Sequence, residues 1–268
     1  MLHWSVIFVL GYFIASIQCS DNDKNYLFGL TFYVAKTSFE YIAIDSTGKE
    51  VPTNYSDLIL MVATENGKIV GSAQSYCRHV NPPLEQIILL QATSVYYPVE
   101  EGEIHFGKGF NISQSCAPIT YGCITLIHNY CSISVKGLKA DKNIKLAILS
   151  KSTQKPAPGS ILIAKYLNNH GRYNTEETVN VTVKNFSECQ KQYDPENLYL
   201  VDEEEQICTE RIAPKLGDDP IALPAALLFQ VKDKKVYLIG IESKAEGGLS
   251  LSTFAPYHCG KFDTQCSL

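Results

Sequence analysis

Apolar residues occur along this chain in short runs, separated by clusters of Gly, Asn, Asp and Pro. The runs are rich in Val, Ile, Tyr, Phe and Thr, which are the residue types that favour β-strands. No run sustains the apolar spacing of an amphipathic helix. Strands are predicted at LTFYVAKT, DLILMVATENGKIVGSA, QIILLQATSVYY, EIHFGKGF, CITLIHNYCSISV, IKLAILS, SILIAKYL, TVNVTVKNF, ALLFQV and VYLIGIE. The pattern predicts an all-β protein, either a sandwich or a barrel.

Turn chemistry connects two pairs of these strands. ENGK at Glu65–Lys68 predicts a hairpin, because Asn-Gly tolerates the positive φ of a tight turn. QVKDKKVY at 230–237 predicts a second hairpin. Around 194–206 and 209–219 the chain is polar, and long loops are predicted there.

Composition and charge limit the classes of function. The 268 residues are 45% apolar and 19% charged, which is typical of a globular protein with a sizeable core. The net charge is −5 and there is no long basic run. Nucleic acid and anionic membrane surfaces are therefore not expected as partners.

The N-terminus has the pattern of a secretory leader. The first twenty residues hold no Lys, Arg, Asp or Glu, and an apolar run extends from Val6 to Ile17. A membrane anchor is the alternative, but the run is shorter than the ~20 residues that a spanning helix needs. We predict a signal peptide over residues 1–19, cleavage after Cys19 or Ser20, and a secreted, extracellular domain over residues 20–268.

Cysteines and sequons agree with secretion. An even number of cysteines remains after the leader, which indicates disulfides rather than a metal site, since no C-x-x-C pair is present. Pairs such as Cys116–Cys123 and Cys259–Cys266 are open alternatives. The eight cysteines are Cys77, Cys116, Cys123, Cys131, Cys189, Cys208, Cys259 and Cys266. The candidate glycosylation sites are Asn54, Asn111, Asn180 and Asn185, each in an Asn-x-Ser/Thr sequon.

Several segments together resemble the trypsin-like (chymotrypsin-fold, S1-type) serine proteases, and most closely their divergent, nematode-type branch. KIVGSAQ is similar to Gly-Gly-Ser-Leu-Ile, and IILLQATSVYYP to the strand that ends at the catalytic histidine. EIHFGKG, NIKLAILS, VYLIGIES and STFAPYHC match later strands in the same order. The resemblance extends over roughly two hundred residues. It implies two six-stranded β-barrels joined near Ser152–Ser160, and a Cys189–Cys208 disulfide across FSECQKQY and QICTE.

The resemblance also locates the catalytic triad, and none of its members is present. Such a protease needs a serine, a histidine that takes its proton and a carboxylate that orients the histidine. The histidine position carries Ser94, the carboxylate position Asn143 and the serine position Leu223. An alternative alignment of GDDP places Asp219 at the nucleophile, which also supplies no serine. The activation switch is missing as well, because Ala222 replaces its aspartate and no Arg-Ile-Val-Gly-Gly precedes the domain.

A relocated site has little support in the sequence. A lone histidine is usually structural or solvated, and His258 is expected to pack beside the disulfide of its neighbour Cys259. The acidic run Asp202–Glu205 lacks the ligand spacing of a calcium loop and is expected to be a solvated loop face. No metal and no cofactor are predicted. The other histidines after the leader are His79, His105, His128 and His170.

Two classes of function are left. The first is a catalytically inactive homologue that binds or regulates another protein, such as a protease, an inhibitor or a receptor, through loops on a rigid scaffold. The second is an active secreted serine endopeptidase whose displaced catalytic site the alignment misses. The sequence favours the first.

Overall fold

The computed structural model describes residues 20–27, 29–44, 46–72, 86–90, 97–98, 112–116, 130–135, 145–169, 173–196, 201–212 and 226–262. Strands dominate these ranges, which confirms the all-β prediction. In chain order the elements are α1 (Ser20–Leu27), β1 (Phe32–Ile44), β2 (Glu50–Thr64), β3 (Lys68–Gly71), β4 (Gln86–Leu90), β5 (Tyr97–Pro98), β6 (Ile112–Cys116), β7 (Cys131–Val135), β8 (Ile161–Asn169), β9 (Tyr173–Thr182), α2 (Phe186–Tyr193), β10 (Gln206–Glu210), β11 (Leu227–Lys232), β12 (Lys235–Glu246), β13 (Leu249–Phe254) and α3 (Ala255–Phe262).

The apolar pattern did not reveal the short helices or β10. Each helix has 8 residues, too few for an apolar stripe to repeat. The ends of β10 fall within the predicted polar loops, so those loop boundaries were wrong. Polar Gln206 and Thr209 are fully buried in β10, and their polarity conceals a strand that is interior to the fold.

The first sheet has six antiparallel strands in the order β4-β1-β2-β3-β7-β6. Its largest pairing is the long hairpin of β1 and β2, in register from Phe32 opposite Val62 to Ile44 opposite Glu50. The second sheet has the order β10-β13-β12-β11-β8-β9-β5. Six of its strands come from the C-terminal half of the chain, and the short β5 joins its edge from the N-terminal half.

Both predicted hairpins are confirmed. Thr64 pairs with Lys68 across a turn in which Gly67 has φ +73°, so glycine supplies the positive φ. Lys232 pairs with Lys235 across the second turn. Its two central residues, Asp233 and Lys234, have φ 52° and 61°. This tight turn therefore holds two non-glycine residues in the left-handed region, which is unfavourable for L-residues.

One of the apolar clusters formed by the described residues joins the two sheets. The rings of Phe32 in β1 and Phe229 in β11 meet edge to face, with centroids 5.9 Å apart. The Nζ atom of Lys165 in β8 lies 4.7 Å from the centroid of the Phe32 ring and 2.5 Å from a carboxylate oxygen of Glu176. Buried apolar residues of this core come from both halves of the chain: Leu30, Phe32, Leu60, Val62, Val70, Tyr130, Ala147, Leu149, Ile163, Leu227, Phe229, Leu238 and Ile241.

The backbone of residues 145–150 is bonded to both sheets. On one side, Thr31 N–H donates to the Lys145 carbonyl and Ala147 N–H donates to the Ala63 carbonyl, both at 2.9 Å. On the other side, Ile148 N–H donates to the Val236 carbonyl at 2.8 Å. This segment thus connects the two sheets by hydrogen bonds as well as by packing.

A disulfide between Cys189 and Cys208 links α2 to β10, with their Cα atoms 5.8 Å apart. This confirms the pairing that the resemblance implied. The bond is buried beside Tyr193 and Leu251. Cys259 is also disulfide-bonded.

Other predictions remain untested. The predicted leader and the sequon at Asn111 lie outside the described residues, and the side chain of Asn54 is not described. Residues 151–160 precede β8 and contain no strand, while the division into two subdomains at 152–160 stays a prediction. Among the described residues, no helix has the length and apolarity that a membrane span requires.

Candidate functional site

The three positions that the resemblance assigns to the triad, Ser94, Asn143 and Leu223, lie outside the described residues. Residues that follow two of them meet in the core between the sheets. Ala147, after Asn143, and Leu227, after Leu223, belong to the same buried cluster. The described residues on either side of Ser94 belong to different sheets, because β4 is in the first and β5 in the second.

Glu242 in β12 is a buried carboxyl whose pKa is shifted. Its side chain is 4% exposed. Ser250 Oγ donates to Oε1 of Glu242 at 2.7 Å, and the Ala226 N–H donates to Oε2 at 3.3 Å. The Ile212 N–H in turn donates to Ser250 Oγ at 3.2 Å. We call Glu242, Ser250, Ile212 and Ala226 the Glu242 cluster.

The strands around Glu242 explain how this cluster forms. The register of β12 against β13 shifts between Glu242 and Lys244, so Ser243 is an extra residue in β12. A bulge of this kind bends a strand and changes the direction of its side chains. The Glu242 N–H also donates to the Ala226 carbonyl at 2.8 Å, which fixes β12 beside the start of β11.

Burial controls the charge of Glu242. Removal from water raises the pKa of this carboxyl to about 7, against the lowering effects of the Ser250 and Ala226 bonds and of the positive charge on Arg211. The group therefore changes its charge near neutral pH. Ala226, which donates to Glu242, and Ile212, which donates to Ser250, border the segment 213–225, which contains the predicted nucleophile position.

The geometry of the Glu242 cluster suits structural anchoring rather than catalysis. A catalytic serine must present its hydroxyl to substrate, with a base within hydrogen-bond reach. Ser250 is fully buried, and its hydroxyl is engaged by Glu242 and Ile212. The nearby Ser243 is also buried, and its Oγ donates to the Leu251 carbonyl at 3.1 Å. Neither hydroxyl faces solvent.

His258 in α3 is buried among aromatic rings. It stacks on Tyr130 with ring centroids 6.0 Å apart and meets the edge of Tyr257 at 5.4 Å. Its neighbour Cys259 is in a disulfide, so the packing expected for His258 is confirmed. The other four histidines after the leader lie outside the described residues.

The acidic run Asp202–Glu205 is a folded turn beside Lys155. Asp202 Oδ1 accepts the Glu204 N–H at 2.7 Å, and the Asp202 N–H donates to Gln206 Oε1 at 2.9 Å. Lys155 Nζ donates to the Glu203 carbonyl, and burial lowers the pKa of this lysine. The first three acidic residues are exposed as expected, but Glu205 is buried. Within the described part of the chain, no group of three or more His, Cys, Asp or Glu side chains is placed to hold a metal.

Two solved structures share the fold of this chain. The scabies mite inactivated protease paralogue S-I1 aligns with a TM-score of 0.54 and 16% identity, over 88% of this chain and 94% of that one. The scabies mite inactivated protease paralogue S-D1 aligns with a TM-score of 0.55 and 16% identity, over 90% and 92%. The all-β trypsin-like fold is therefore confirmed. No protein-family model and no curated protein matches the chain.

The sequence analysis did not identify Glu242. A signal was present, because Glu242 ends the apolar run VYLIGI in a strand whose residues Leu238–Ile241 are all buried. Where successive residues of a strand are all buried, neither face of the strand is in contact with solvent. Glu242 is thus expected to be buried and hydrogen-bonded.

Proposed function

We propose that this chain is a secreted, catalytically inactive homologue of trypsin-like serine proteases that acts by binding or regulating another protein. The observation that carries the proposal is a contrast. The chain has the fold of two proteins named inactivated protease paralogues, while the positions that the resemblance assigns to the triad carry Ser94, Asn143 and Leu223. A fold retained without its reactive side chains indicates a role that depends on shape and surface.

The Glu242 cluster supports this proposal. The hydroxyl of Ser250 is hydrogen-bonded to Glu242 and Ile212 and is buried away from solvent. His258, the histidine whose setting is described, is packed against Tyr130 and Tyr257. These side chains serve packing and anchoring, which gives no support to a displaced catalytic site among the described residues.

Secretion is supported by the apolar leader, by the sequons and by disulfide bonding at Cys189, Cys208 and Cys259. Disulfides persist in oxidising compartments and are rare in the cytosol.

The net charge and the β scaffold indicate which class of molecule the chain binds. The net charge of −5 argues against nucleic acid, and loops on a rigid β scaffold are suited to recognising proteins.

Labelling with a fluorophosphonate probe tests the absence of peptidase activity, because the probe reacts with activated serines. The secreted protein should remain unlabelled under conditions in which an equal amount of trypsin is labelled completely. Stoichiometric labelling that heat denaturation abolishes would overturn the proposal and favour an active endopeptidase. The labelled peptide would then identify the serine.

The binding role needs a separate experiment. The folded, secreted protein is immobilised and used to capture proteins from the extracellular fluid of its source. A Cys189→Ala/Cys208→Ala variant denatured before coupling is the matched control. A protein retained by the folded form alone, which then binds the purified chain in solution, is the expected result. Failure of every captured protein to bind in solution would contradict the binding role.

A further inference from the structure

Two of the four sequons lie close together in the chain but in opposite structural settings. Asn180 is within β9 and is paired with β8, whereas the two residues of β5 pair with the other end of β9, at Tyr173 and Asn174. Asn185 follows the end of β9 and is the N-cap residue of α2. The sequence treats the two as equivalent candidates, whereas the structure separates them.

Asn180 is only partly exposed in the folded chain, and its amide is directed towards packed neighbours. It pairs with Ile163 of β8, which is only 4% exposed, and its side-chain oxygen Oδ1 is buried. Because Oδ1 and Nδ2 belong to one small planar amide, the close packing around Oδ1 leaves less space for a glycan on Nδ2 than an exposed asparagine has. The sequon hydroxyl is occupied too, since Thr182 donates from N–H and Oγ1 to Glu210 Oε1 at 2.9 and 3.1 Å.

Asn185 has the opposite environment. It is exposed, as are Ser187, Glu188 and Lys191 along the same helix, while α2 turns Cys189 and Tyr193 towards the interior. Its backbone N–H donates to Glu188 Oε1 at 3.2 Å. The Glu188 N–H donates in return to the backbone carbonyl of Asn185 at 3.0 Å. The nitrogen Nδ2, which would carry the sugar, is not needed for the cap.

We propose that Asn185 carries an N-linked glycan in the mature protein and that Asn180 does not. The proposal rests on the secretion proposed above. A lipid-linked oligosaccharide diphosphate supplies the sugar. The anomeric carbon bonds to Nδ2 of Asn185, the carbon–oxygen bond to the diphosphate breaks, Nδ2 loses one proton and the lipid diphosphate leaves. The glycan then stands on the exposed side of α2.

This assignment locates the protein-binding surface by exclusion. A glycan on Asn185 projects from the N-terminal end of α2, where Asn185, Ser187 and Glu188 are exposed. A protein partner cannot pack closely on that end of the helix while the sugar is there. The partner surface of the mature protein is therefore on another part of the molecule.

Enzymatic deglycosylation followed by peptide mass mapping tests the assignment. The full chain is expressed in eukaryotic cells behind a heterologous secretion leader, so that entry into the secretory pathway does not depend on its own leader. Peptide N-glycosidase converts a glycan-bearing Asn to Asp. We expect Asp at 185 and unchanged Asn at 180.

Sequon variants test the same assignment through the mass of the intact protein, without peptide mass mapping. Asn185→Gln and Ser187→Ala should each abolish one glycan mass from the intact protein, and Asn180→Gln should leave the mass pattern of the wild type. Ser187→Ala is the sharper variant, because it removes the sequon and keeps the N-cap residue. Asp at 180, or unmodified Asn at 185, would overturn the proposal. Neither outcome bears on whether the chain is catalytically inactive, because the experiment measures no activity and no binding.

Discussion

The hydroxyl of Ser250 lies 2.7 Å from Oε1 of Glu242, so a serine of β13 donates to a carboxyl of β12. Both side chains are buried. The serine relays the contact to the Ile212 N–H, while the other carboxyl oxygen accepts the Ala226 N–H. One carboxyl thus connects two points of the backbone that are far apart in the chain. Because it is buried, its protonation is coupled to the stability of the fold.

Replacing Glu242 by Gln should flatten the pH dependence of the free energy of unfolding. Burial raises the pKa of Glu242 from 4.5 to about 7, so between these values the folded chain keeps a proton that the unfolded chain has released. The stabilisation from this proton is fully present below pH 4.5 and is lost as the pH rises through 7. The loss amounts to about 3 kcal/mol in all.

Denaturant titration at pH 4.5, 6 and 8 measures this dependence. Glu196→Gln is the matched control, because Glu196 is exposed, and it should keep the wild-type slope. Equal slopes in Glu242→Gln and the wild type would show that burial does not set the ionisation of Glu242.

Ser250→Ala should destabilise the protein by about 1–3 kcal/mol, because it removes a donor to Glu242 and the acceptor of the Ile212 N–H, both buried. Ser243→Ala is the matched control, since Ser243 is equally buried but bonds to the Leu251 carbonyl. Double-mutant cycles with Glu242→Gln should give a clear coupling energy for Ser250 and almost none for Ser243. Equal couplings would contradict the described hydrogen bonds.

Removing the Cys189–Cys208 disulfide through the Cys189→Ala/Cys208→Ala variant should reduce the free energy of unfolding by about 3 kcal/mol. The bond closes a loop with a sequence separation of 19, and its absence frees the unfolded chain. Guanidinium titration without reductant is the appropriate measurement, because a reductant would also attack the disulfide of Cys259. A loss below about 1 kcal/mol would show that packing around Tyr193 and Leu251 dominates instead.

Lys234→Gly should stabilise the β11–β12 hairpin by about 0.5–1 kcal/mol, because Lys234 has φ 61° and glycine accepts that conformation without steric cost. Lys235→Gly is the matched control. Lys235 begins β12, where glycine weakens a strand. The midpoint temperature of thermal denaturation should therefore rise for Lys234→Gly and fall for Lys235→Gly. A decrease in both would refute the strain at Lys234.

Restoring the three triad residues through Ser94→His, Asn143→Asp and Leu223→Ser should yield no peptidase activity. In the trypsin-like family, one oxyanion donor is the backbone N–H of a glycine two residues before the serine, and the resemblance assigns Ile221 to that position. Pro224 follows the serine position and has a fixed φ. Loss of one oxyanion donor costs about 10²–10³ in rate. Burst titration with an activated ester is the measurement, and a stoichiometric burst would disprove the prediction.

Local chemistry explains which parts of the fold the sequence could predict. The turn at Gly67 and the hairpin at Asp233–Lys234 depend on a few adjacent residues, so short patterns predicted both. The Cys189–Cys208 bond came from the resemblance, because spacing alone allows many pairings. The environment of Glu242 depends on a bulge and on Ile212, Ala226 and Ser250, which all lie outside β12, and no local pattern contains it. The assignments of Ser94, Asn143 and Leu223 stay predictions.

The backbone bonds of residues 145–150 have a consequence for synthesis. The Ala147 N–H donates to Ala63, which is synthesised before it. The Ile148 N–H and carbonyl, in contrast, bond to Val236 and Leu238, which are synthesised much later. A nascent chain therefore cannot close this junction until residues near its C-terminus have left the ribosome. Until then the apolar side of the first sheet, including Phe32, lacks its Phe229 partner. Truncation before β11 would therefore remove Phe229 together with the Val236 and Leu238 backbone bonds, and it would leave the apolar side of the first sheet without these partners rather than produce a smaller stable domain.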